Sequence, residues 1–417
     1  FLEDFGGGTD VPDNTDAFKK AFAVSKAVRL KNGTYHVVEG GIELPAQYLL
    51  VGEGRSTELA CGSNSAFTVT GALGALKRAG IMRDLSISTD PRSNVLVYTH
   101  AEQARFYNVF FYHIAYIMDD AHYFYFYDCE SHECYFEVKP DSNTTNYLNE
   151  SIVFLRSYFS ACNILAKNTA ELTLINCIMF SSPDYAVRTE TVFLNQTEND
   201  EAIGFPVIVI GTTFDAIQGK CLELKDAPYS VISGNFFSSW TDAAVKLDSS
   251  RCVKLAENNI SANGPGVDVA DCKYLDISNN MFNECRTIDF GAINLTGSSY
   301  ININGNTFAH AKVYGTDHSN KITKGITNND ATADHVLISS NVFGESVTEP
   351  TNISTSAGTG NRIVGNVGLY DSAGNRGETS SRPSNPNYGD MYYDTTLGLP
   401  IWWNSVTSSW QRADGTN

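Results

Sequence analysis

Carboxylates and cations alternate with apolar residues in several short segments between residues 185 and 296. Glu223, Asp248 and Asp268 follow this alternation, and Glu190 is a further acid near the first of the segments. Two carboxyl groups about 6.5–9.5 Å apart on one surface can perform inverting glycoside hydrolysis, one as the acid and one as the base that activates water. These four residues are therefore candidate catalytic groups.

Cations stand beside these acids in the same segments. Arg188, Lys225 and Lys246 could hold an anionic sugar, and Trp240, which falls in a turn, could stack on a sugar ring. The same cations would also lower the pKa of a neighbouring carboxyl group and so impair a general acid. Alternating opposite charges are also typical of a solvated ion-pair ladder without catalytic function, so that alternative stays open.

Residues 98–138 form a second candidate region, because aromatic residues are interleaved there with histidines and acids. A strand period of 2 sends about half of the aromatic side chains into a core, and the outward half would stack on sugars or contact another subunit. A lyase acting on a uronic-acid polysaccharide needs a base and an acid, often His, Tyr, Lys or Arg. Loops 139–150 and 195–205 could wall a groove.

A repeated phrase determines which elements must position these residues. From about residue 205 an alternating apolar stretch is followed by Asn and an apolar pair, and gaps between these Asn residues run from 22 to 35 residues. The repeating residues are Asn235, Asn258, Asn280, Asn306, Asn341 and Asn366, with Thr212 and Cys177 in the same frame upstream. This spacing indicates coils with loop insertions.

Each repeat carries two or three short strands and almost no helix signal. The pattern predicts an all-β fold, a right-handed single-stranded parallel β-helix over residues 1–370. Equivalent residues of successive coils lie about 4.8 Å apart, so buried Asn amides would hydrogen-bond along the axis. Aligning the coils on inward Val187, Leu222, Val245, Val267 and Ile293 gives two outward columns: Arg188, Glu223, Lys246, Asp268, Asn294, and Glu190, Lys225, Asp248, Ala270, Thr296.

Both ends of the chain carry distinct signals. Phe18 and Phe22 stand at i, i+4 in an amphipathic stretch after an Asp/Asn-rich start, which predicts a helix in a capping segment, residues 1–27. Such a helix would cover the open end of the β-helix. Residues 371–384 are rich in Ser, Gly, Asn and Pro and indicate a linker, and residues 385–417 a small β module.

Composition excludes several classes of function. The chain has 417 residues and a formal net charge of −18, which disfavours nucleic-acid binding, and no apolar run is long enough for membrane insertion. The nine cysteines show no metal-ligand spacing and are expected to be buried in a protein assembled in a reducing compartment, and no metal or cofactor is expected. The sequence has neither an initial Met nor a signal peptide, so we expect a missing N-terminal segment.

Two stretches resemble known families. Asp4–Asp10, Asn14–Phe18 and the phrase Val28–Tyr35 are similar to the opening of pectate-lyase-like β-helix proteins. Arg382–Asn404, with Trp410 and Asp414-Gly415, resembles a phrase near the C-termini of bacteriophage tail fibres and tailspikes. Together they imply a tailspike that binds and depolymerises a bacterial capsule or O-antigen.

The paired carboxylates favour hydrolysis for such a protein. A polysaccharide lyase, a non-catalytic glycan-binding adhesin and a deacetylase are the alternatives. The resemblance further implies a homotrimer in the virion, attached to the phage tail or baseplate through the missing N-terminal segment. Such a protein is made in the host cytoplasm and acts at the bacterial cell surface. The strongly acidic composition mildly favours a neutral or weakly charged glycan.

Overall fold

Short strands with alternating apolar residues wind into a parallel β-helix, as the repeat predicts. The computed structural model describes residues 1–62, 66–72, 75–139, 150–167, 171–190, 205–239, 241–283, 285, 290–309, 322–328, 333–344, 347, 349–352, 360–368, 376–382 and 391–412. Each coil contributes a strand to each of three faces, and strands of one face pair in parallel with those of the next coil.

The faces are numbered in the order in which the chain passes through them. Face 1 contains Ala27–Arg29, Leu49–Val51, Glu150–Leu155, Leu172–Ile175, Val207–Ile210, Val231–Ser233, Lys254–Ala256, Lys273–Ser278, Ser299–Asn304, Leu337–Ser339 and Arg362–Val364. Face 2 contains Gly33–Val37, Thr57–Cys61, Glu130–His132, Tyr158–Ser160, Ile178–Phe180, Thr213–Ile217, Phe236–Ser239, Asn259–Ala262, Met281–Asn283, Thr307–Ala309 and Val342–Phe343.

Face 3 carries the charged columns. It contains Ile42–Glu43, Phe67–Thr70, Tyr135–Lys139, Asn163–Lys167, Tyr185–Glu190, Lys220–Lys225, Val245–Asp248, Val267–Ala270, Ile293–Thr296, Lys324–Asn328 and Glu349–Asn352. Two long strands, Ile81–Glu102 and Arg105–Tyr127, bend through all three faces, and Lys77–Arg78 pairs with the end of the first of them.

Inward side chains of successive coils stack on one another to form one continuous core. Phe106, Phe126 and Phe154 illustrate this, with ring centroids 4.6 and 4.7 Å apart, close to the coil spacing. Half of the aromatic residues between 98 and 138 are buried in this core, as the period of 2 predicts: Tyr98, Phe106, Phe111, Tyr116, Phe124, Phe126 and Phe136. The others lie on or near the outer surface.

A buried ladder of asparagine amides runs along the corner between faces 1 and 2. From Asn235 to Asn341, the Nδ2 of each Asn donates to the Oδ1 of its equivalent in the next coil at 2.9–3.0 Å and to a carbonyl of the preceding coil. Each Oδ1 also accepts the backbone N–H of the preceding Asn. Thr212 and Cys177 continue the ladder, so the predicted frame is confirmed.

The N-terminal segment closes the first coils. A 3-10 helix, Leu2–Phe5, precedes the α-helix Thr15–Val24, whose first turn is held by the Asp13 carboxylate through the backbone N–H and hydroxyl of Thr15. Phe18 and Phe22 are buried, and Phe18 packs edge-on against Phe67 at 5.5 Å. The predicted capping helix is confirmed.

A small sheet near the C-terminus is formed by Arg376–Gly377, Met391–Asp394, Leu399–Asn404 and Ser409–Gln411, with a 3-10 helix at Thr379–Ser381. The predicted linker, residues 371–384, overlaps this sheet: the first strand pairs with the second, and the guanidinium of Arg382 contacts the buried Asp394 at 2.7 Å. These contacts place residues 376–382 with the sheet. Asp414-Gly415 and most of the predicted tail motif before residue 391 lie outside the described residues.

The cysteines are free thiols. Eight of them are buried and Cys252 is exposed, in agreement with their predicted role as small core residues except at Cys252. Burial raises the pKa of the Cys129 thiol to about 12, so such groups stay protonated. Across the described part of the chain, no helix combines the length and apolarity needed to cross a membrane.

Replacement of Asn280 by Ala tests the amide ladder. The change leaves Asn258 without the acceptor for its N–H and its Nδ2, and removes the donor to Asn306. We expect Asn280→Ala to lower the free energy of unfolding by at least about 2 kcal/mol, measured by urea denaturation. Asn259→Ala, at the neighbouring outward position, is the control and should cost less than about 0.5 kcal/mol. Equal effects of the two changes would contradict the role of the ladder.

Candidate functional site

Strand pairing on face 3 aligns the candidate residues in register. Arg188 pairs with Glu223, Glu223 with Lys246 and Lys246 with Asp268, while Lys225 pairs with Asp248. The inward neighbours, such as Leu222 and Val245, are fully buried, so the alternate residues point outward. Face 3 therefore brings the candidate acids and cations onto one surface.

Glu223 lies at the centre of an ion-pair network. Its Oε2 accepts a hydrogen bond from Nε of Arg188 at 2.5 Å, and its Oε1 lies 3.6 Å from Nζ of Lys220. Lys220 also contacts Asp242 at 2.9 Å. The Arg188 and Glu223 side chains are 27% and 21% exposed, so solvent screens this pair only partly. Glu223 therefore contacts two cations at once.

The cations of this network are held in their charged forms. Burial alone would lower the pKa of Arg188, but the hydrogen bond and charge of Glu223 raise it above the ordinary value. The pKa of Lys220 is raised in the same way, since its contacts with Asp242 and Glu223 outweigh desolvation. The Arg188 guanidinium also lies over the Tyr185 ring, 4.0 Å from its centroid. Arg188 is thus fixed on both sides.

Asp248 and Asp268 differ from Glu223 in their partners. Asp248 accepts a hydrogen bond from the Ser249 hydroxyl at 2.8 Å. Asp268 accepts one from Nδ2 of Asn294 at 2.7 Å, and Asn294 in turn accepts one from Thr327 at 3.1 Å. Over the residues that the structure describes, neither aspartate has an ion pair within 4.0 Å. Their polar partners are neutral.

Glu190 lies on the strand of Arg188, one coil from Glu223 and two residues further along. Its strand pairs Lys167 with Glu190, and the two charged groups lie 3.9 Å apart. Lys167 also contacts Glu137 at 3.4 Å, one coil towards the N-terminus. Glu190 thus shares the cation Lys167 with Glu137. Trp240 and most of loops 139–150 and 195–205 lie outside the described residues, so their predicted roles stay predictions.

The sequence interpretation missed three residues of this site: Tyr185, Lys220 and Asp242. Each lies at the start of a strand or in the preceding turn, where the alternation used to align the columns does not apply. Burial raises the pKa of Tyr185, and the nearby Tyr135 hydroxyl adds to this effect. Asp184, Tyr185 and Arg188 place an acid, an aromatic ring and a cation within five residues. This grouping is the one local signal that could have indicated Tyr185 as part of the site.

A second arrangement with chemical potential lies at the corner that follows face 3. Asp120 is 1% exposed and accepts hydrogen bonds from Nδ1 of His100 at 2.8 Å and Nε2 of His122 at 3.0 Å. A carboxylate fixes the orientation and tautomer of a histidine base in many enzymes. These residues belong to the aromatic region 98–138, which the sequence indicated as a competing site.

The three-faced coil with charged outward columns defines the chain as a parallel β-helix of the pectate-lyase-like class. Tailspike protein 3 of bacteriophage CBA120 is 32% identical to the chain, covers all of it and superimposes with a TM-score of 0.85, and the chain covers 69% of that protein. The chain belongs to the bacteriophage tailspike family.

More distant similarities support the fold alone. The A-module of the mannuronan C-5 epimerase AlgE6 of Azotobacter vinelandii is 16% identical, with a TM-score of 0.60 over 88% of this chain and 98% of that module. The Agl-KA catalytic domain is 12% identical, with a TM-score of 0.52 over 87% of this chain and 67% of that one. A family described as periplasmic copper-binding protein (NosD) matches residues 138–291. No curated protein sequence matches the chain.

A double-mutant cycle tests the Arg188–Glu223 pair. We expect Arg188→Met and Glu223→Gln to be coupled by at least about 1 kcal/mol in the free energy of unfolding, because the pair is largely buried and charge-assisted. The control pair, Arg156 and Asp128, has similar distances, but both side chains are more than half exposed. Its coupling should be clearly smaller in the same urea titrations. Equal coupling would contradict partial desolvation of the Arg188–Glu223 pair.

Proposed function

We propose that this tailspike cleaves a bacterial surface polysaccharide, capsule or O-antigen, by glycosidic hydrolysis on face 3. The observation that carries the proposal is the register of Asp248 with Glu223 and Asp268. Asp248 lies one coil from Glu223 and two residues further along the strand, and it stands in the same relation to Asp268. This offset corresponds to about 8 Å between the backbone positions, and inverting glycosidases hold their two carboxyl groups about 6.5–9.5 Å apart.

The environment of each acid favours a different role. Glu223, held in place by its contacts with Arg188 and Lys220, is assigned the removal of a proton from the attacking water. Asp248 makes no ion pair within 4.0 Å among the described residues and accepts a hydrogen bond from the Ser249 hydroxyl, so we assign it the role of the general acid. In the proposed reaction Asp248 donates its proton to the glycosidic oxygen while the activated water attacks the anomeric carbon. Asp268 is the second candidate for the base, and Glu190 is a reserve candidate.

Two cations remain for contact with the substrate. Lys246 pairs with both Glu223 and Asp268 along the column, and Lys225 lies beside Asp248. Neither makes an ion pair within 4.0 Å among the described residues, so both can donate to sugar hydroxyl or acidic groups. Arg188, predicted as a substrate ligand, is instead bound to Glu223, and we assign it the positioning of that carboxylate. Trp240 remains a predicted sugar platform.

Neutral substitutions of the acids test the proposed hydrolysis. We expect Asp248→Asn and Glu223→Gln each to lower kcat on the host polysaccharide by about 10²–10⁴-fold, because each removes a proton-transfer group. Asp215→Asn, an exposed aspartate on face 2, is the control and should retain wild-type activity. Polymer length and reducing ends are measured together. Wild-type rates in both acid variants would contradict this catalytic assignment.

A polysaccharide lyase is the second candidate, favoured by the buried Asp120 between His100 and His122. A lyase leaves an unsaturated uronate, which absorbs in the ultraviolet, whereas a hydrolase releases reducing ends without that absorbance. If absorbance rises and His100→Gln abolishes it, the lyase replaces the hydrolase. A protein that binds the polymer without shortening it is the adhesin alternative.

We further propose that the chain forms a homotrimer in the virion. One outward position of face 2 carries exposed apolar residues on most of its coils, interrupted by Thr213, Asn259 and Thr307. These apolar residues, called here the stripe, are Ile178, Phe236, Met281, Val342 and Val367, each 38–56% exposed. Strand pairing connects them through every intervening coil. A stripe parallel to the axis suits contact between chains that lie side by side.

Charged substitutions in the stripe test the trimer. We expect the wild type to have three times the chain mass by multi-angle light scattering, and Ile178→Asp combined with Met281→Asp to shift it to monomer. Tyr229→Asp, at a side chain that is 66% exposed outside the stripe, should leave the mass unchanged. A monomeric wild type would contradict the proposal, and so would a trimer unaffected by the double change.

A further inference from the structure

A cavity of about 270 Å³ opens on the outer surface of face 2, away from the charged columns of face 3. It is lined by Arg55, Ser56, Glu58, Ser86, Ser88, Phe110 and Tyr112. The strand pairing explains its shape: Ser86 and Ser88 lie in register between Glu58 and Ala60 on one side and the two aromatic residues on the other. Small side chains between larger ones leave a notch one coil deep.

Aromatic rings form one wall of this notch. The Tyr112 ring is 38% exposed and is stacked on the imidazole of His113, with centroids 4.0 Å apart. The Phe110 ring carries the Arg55 guanidinium 4.0 Å from its centroid. Both rings are therefore held by neighbours before any ligand binds, which reduces the entropy lost on binding.

The charges around the notch are largely neutralised except at Glu58. Arg55 donates to both carboxylate oxygens of Glu130, at 3.0 and 3.3 Å, and Glu130 also contacts Nε2 of His132 at 2.7 Å. Arg55 is thus committed to Glu130 and Phe110. Glu58 accepts hydrogen bonds from the hydroxyls of Ser88 at 2.6 Å and Thr34 at 3.1 Å. A carboxylate has about four acceptor sites, so Glu58 can accept further hydroxyl groups.

We propose that this notch is a second saccharide-binding site, which holds one neutral sugar ring of the polysaccharide without cleaving it. Aromatic walls with a convergent polar group are the features of ligand pockets, and the volume suits a single ring. The apolar C–H face of a pyranose packs on an aromatic ring, while its hydroxyls donate to Glu58. The uncompensated Glu58 carboxylate repels a uronate, so the site selects neutral sugars.

The inference rests on the proposed function for its polymer and makes a separate claim about avidity. A long chain that occupies both face 3 and the notch gains a high effective concentration at the cleavage site, and a short oligosaccharide that reaches one site gains nothing. The notch therefore affects the KM for the intact polymer and leaves kcat and the cleavage of short fragments unchanged.

The test uses the full chain and two variants that change the notch alone, Tyr112→Ala and Ser88→Leu. We expect both to raise the KM for intact polymer several-fold at constant kcat, and to raise the Kd for neutral O-antigen fragments, prepared by mild acid, at least tenfold by isothermal titration calorimetry. Tyr229→Ala, an exposed tyrosine elsewhere, is the control. Glu58→Gln should bring the Kd for acid-prepared fragments of a uronate-containing capsule closer to that for neutral fragments.

The two proposals fail separately. The second site is overturned if neutral fragments bind to Tyr112→Ala and to Ser88→Leu with the same affinity as to the wild type, whatever the protein does to the polymer. Absence of neutral-fragment binding to the wild type also overturns it. If no polymer is shortened but fragment binding is lost in both variants, the notch stands as a glycan site and hydrolysis on face 3 is the hypothesis that fails.

Discussion

The structure depends on the constraint that successive coils stack in register, so that the backbone N–H and C=O groups of a strand pair with the strands of the two neighbouring coils. A slip of one residue would exchange the inward and outward side chains of a whole strand. The buried amide ladder opposes such a slip, because each Asn has its donors and acceptors filled when its neighbours stand at the same corner. Asn306 and Asn341 are 35 residues apart, yet their amides meet at 3.0 Å like the others.

Register then converts sequence spacing into surface chemistry. Insertions fall between the strands and do not shift their register. The column on face 3 therefore continues from Arg188 through Glu223, Lys246 and Asp268 although the coils differ in length. The same rule places two serines between Glu58 and the aromatic pair on face 2. The charged columns and the notch therefore have the same origin: each is formed by the side chains at equivalent outward positions of successive coils.

The sequence predicts the fold well because its signal is periodic. Inward residues such as Leu222 and Val245 fix the frame, and the outward columns follow from strand geometry alone. The partners of Glu223 cannot be predicted in this way, because Lys220 contacts it from the start of a strand. Asp242, which lies in a turn, contacts Lys220. The burial of Asp120, at a corner with φ 51°, could not be predicted from a periodic pattern either. Arg376–Gly377 pairs within the C-terminal sheet although the composition of this segment is typical of a linker.

The energetics of the fold bear on the meaning of the charges on face 3. Exposed ion pairs contribute about 0–1 kcal/mol each, whereas the core and the buried ladder already hold the coils together. The arrangement in which Arg188 lies between Tyr185 and Glu223 differs from such exposed pairs, because its side chains are largely buried. Desolvating a guanidinium and a carboxylate opposes folding unless their geometry compensates. A solvated ladder would avoid that desolvation, so the fixed geometry of Arg188 and Glu223 supports the proposed catalytic role of this surface over a role in stability alone.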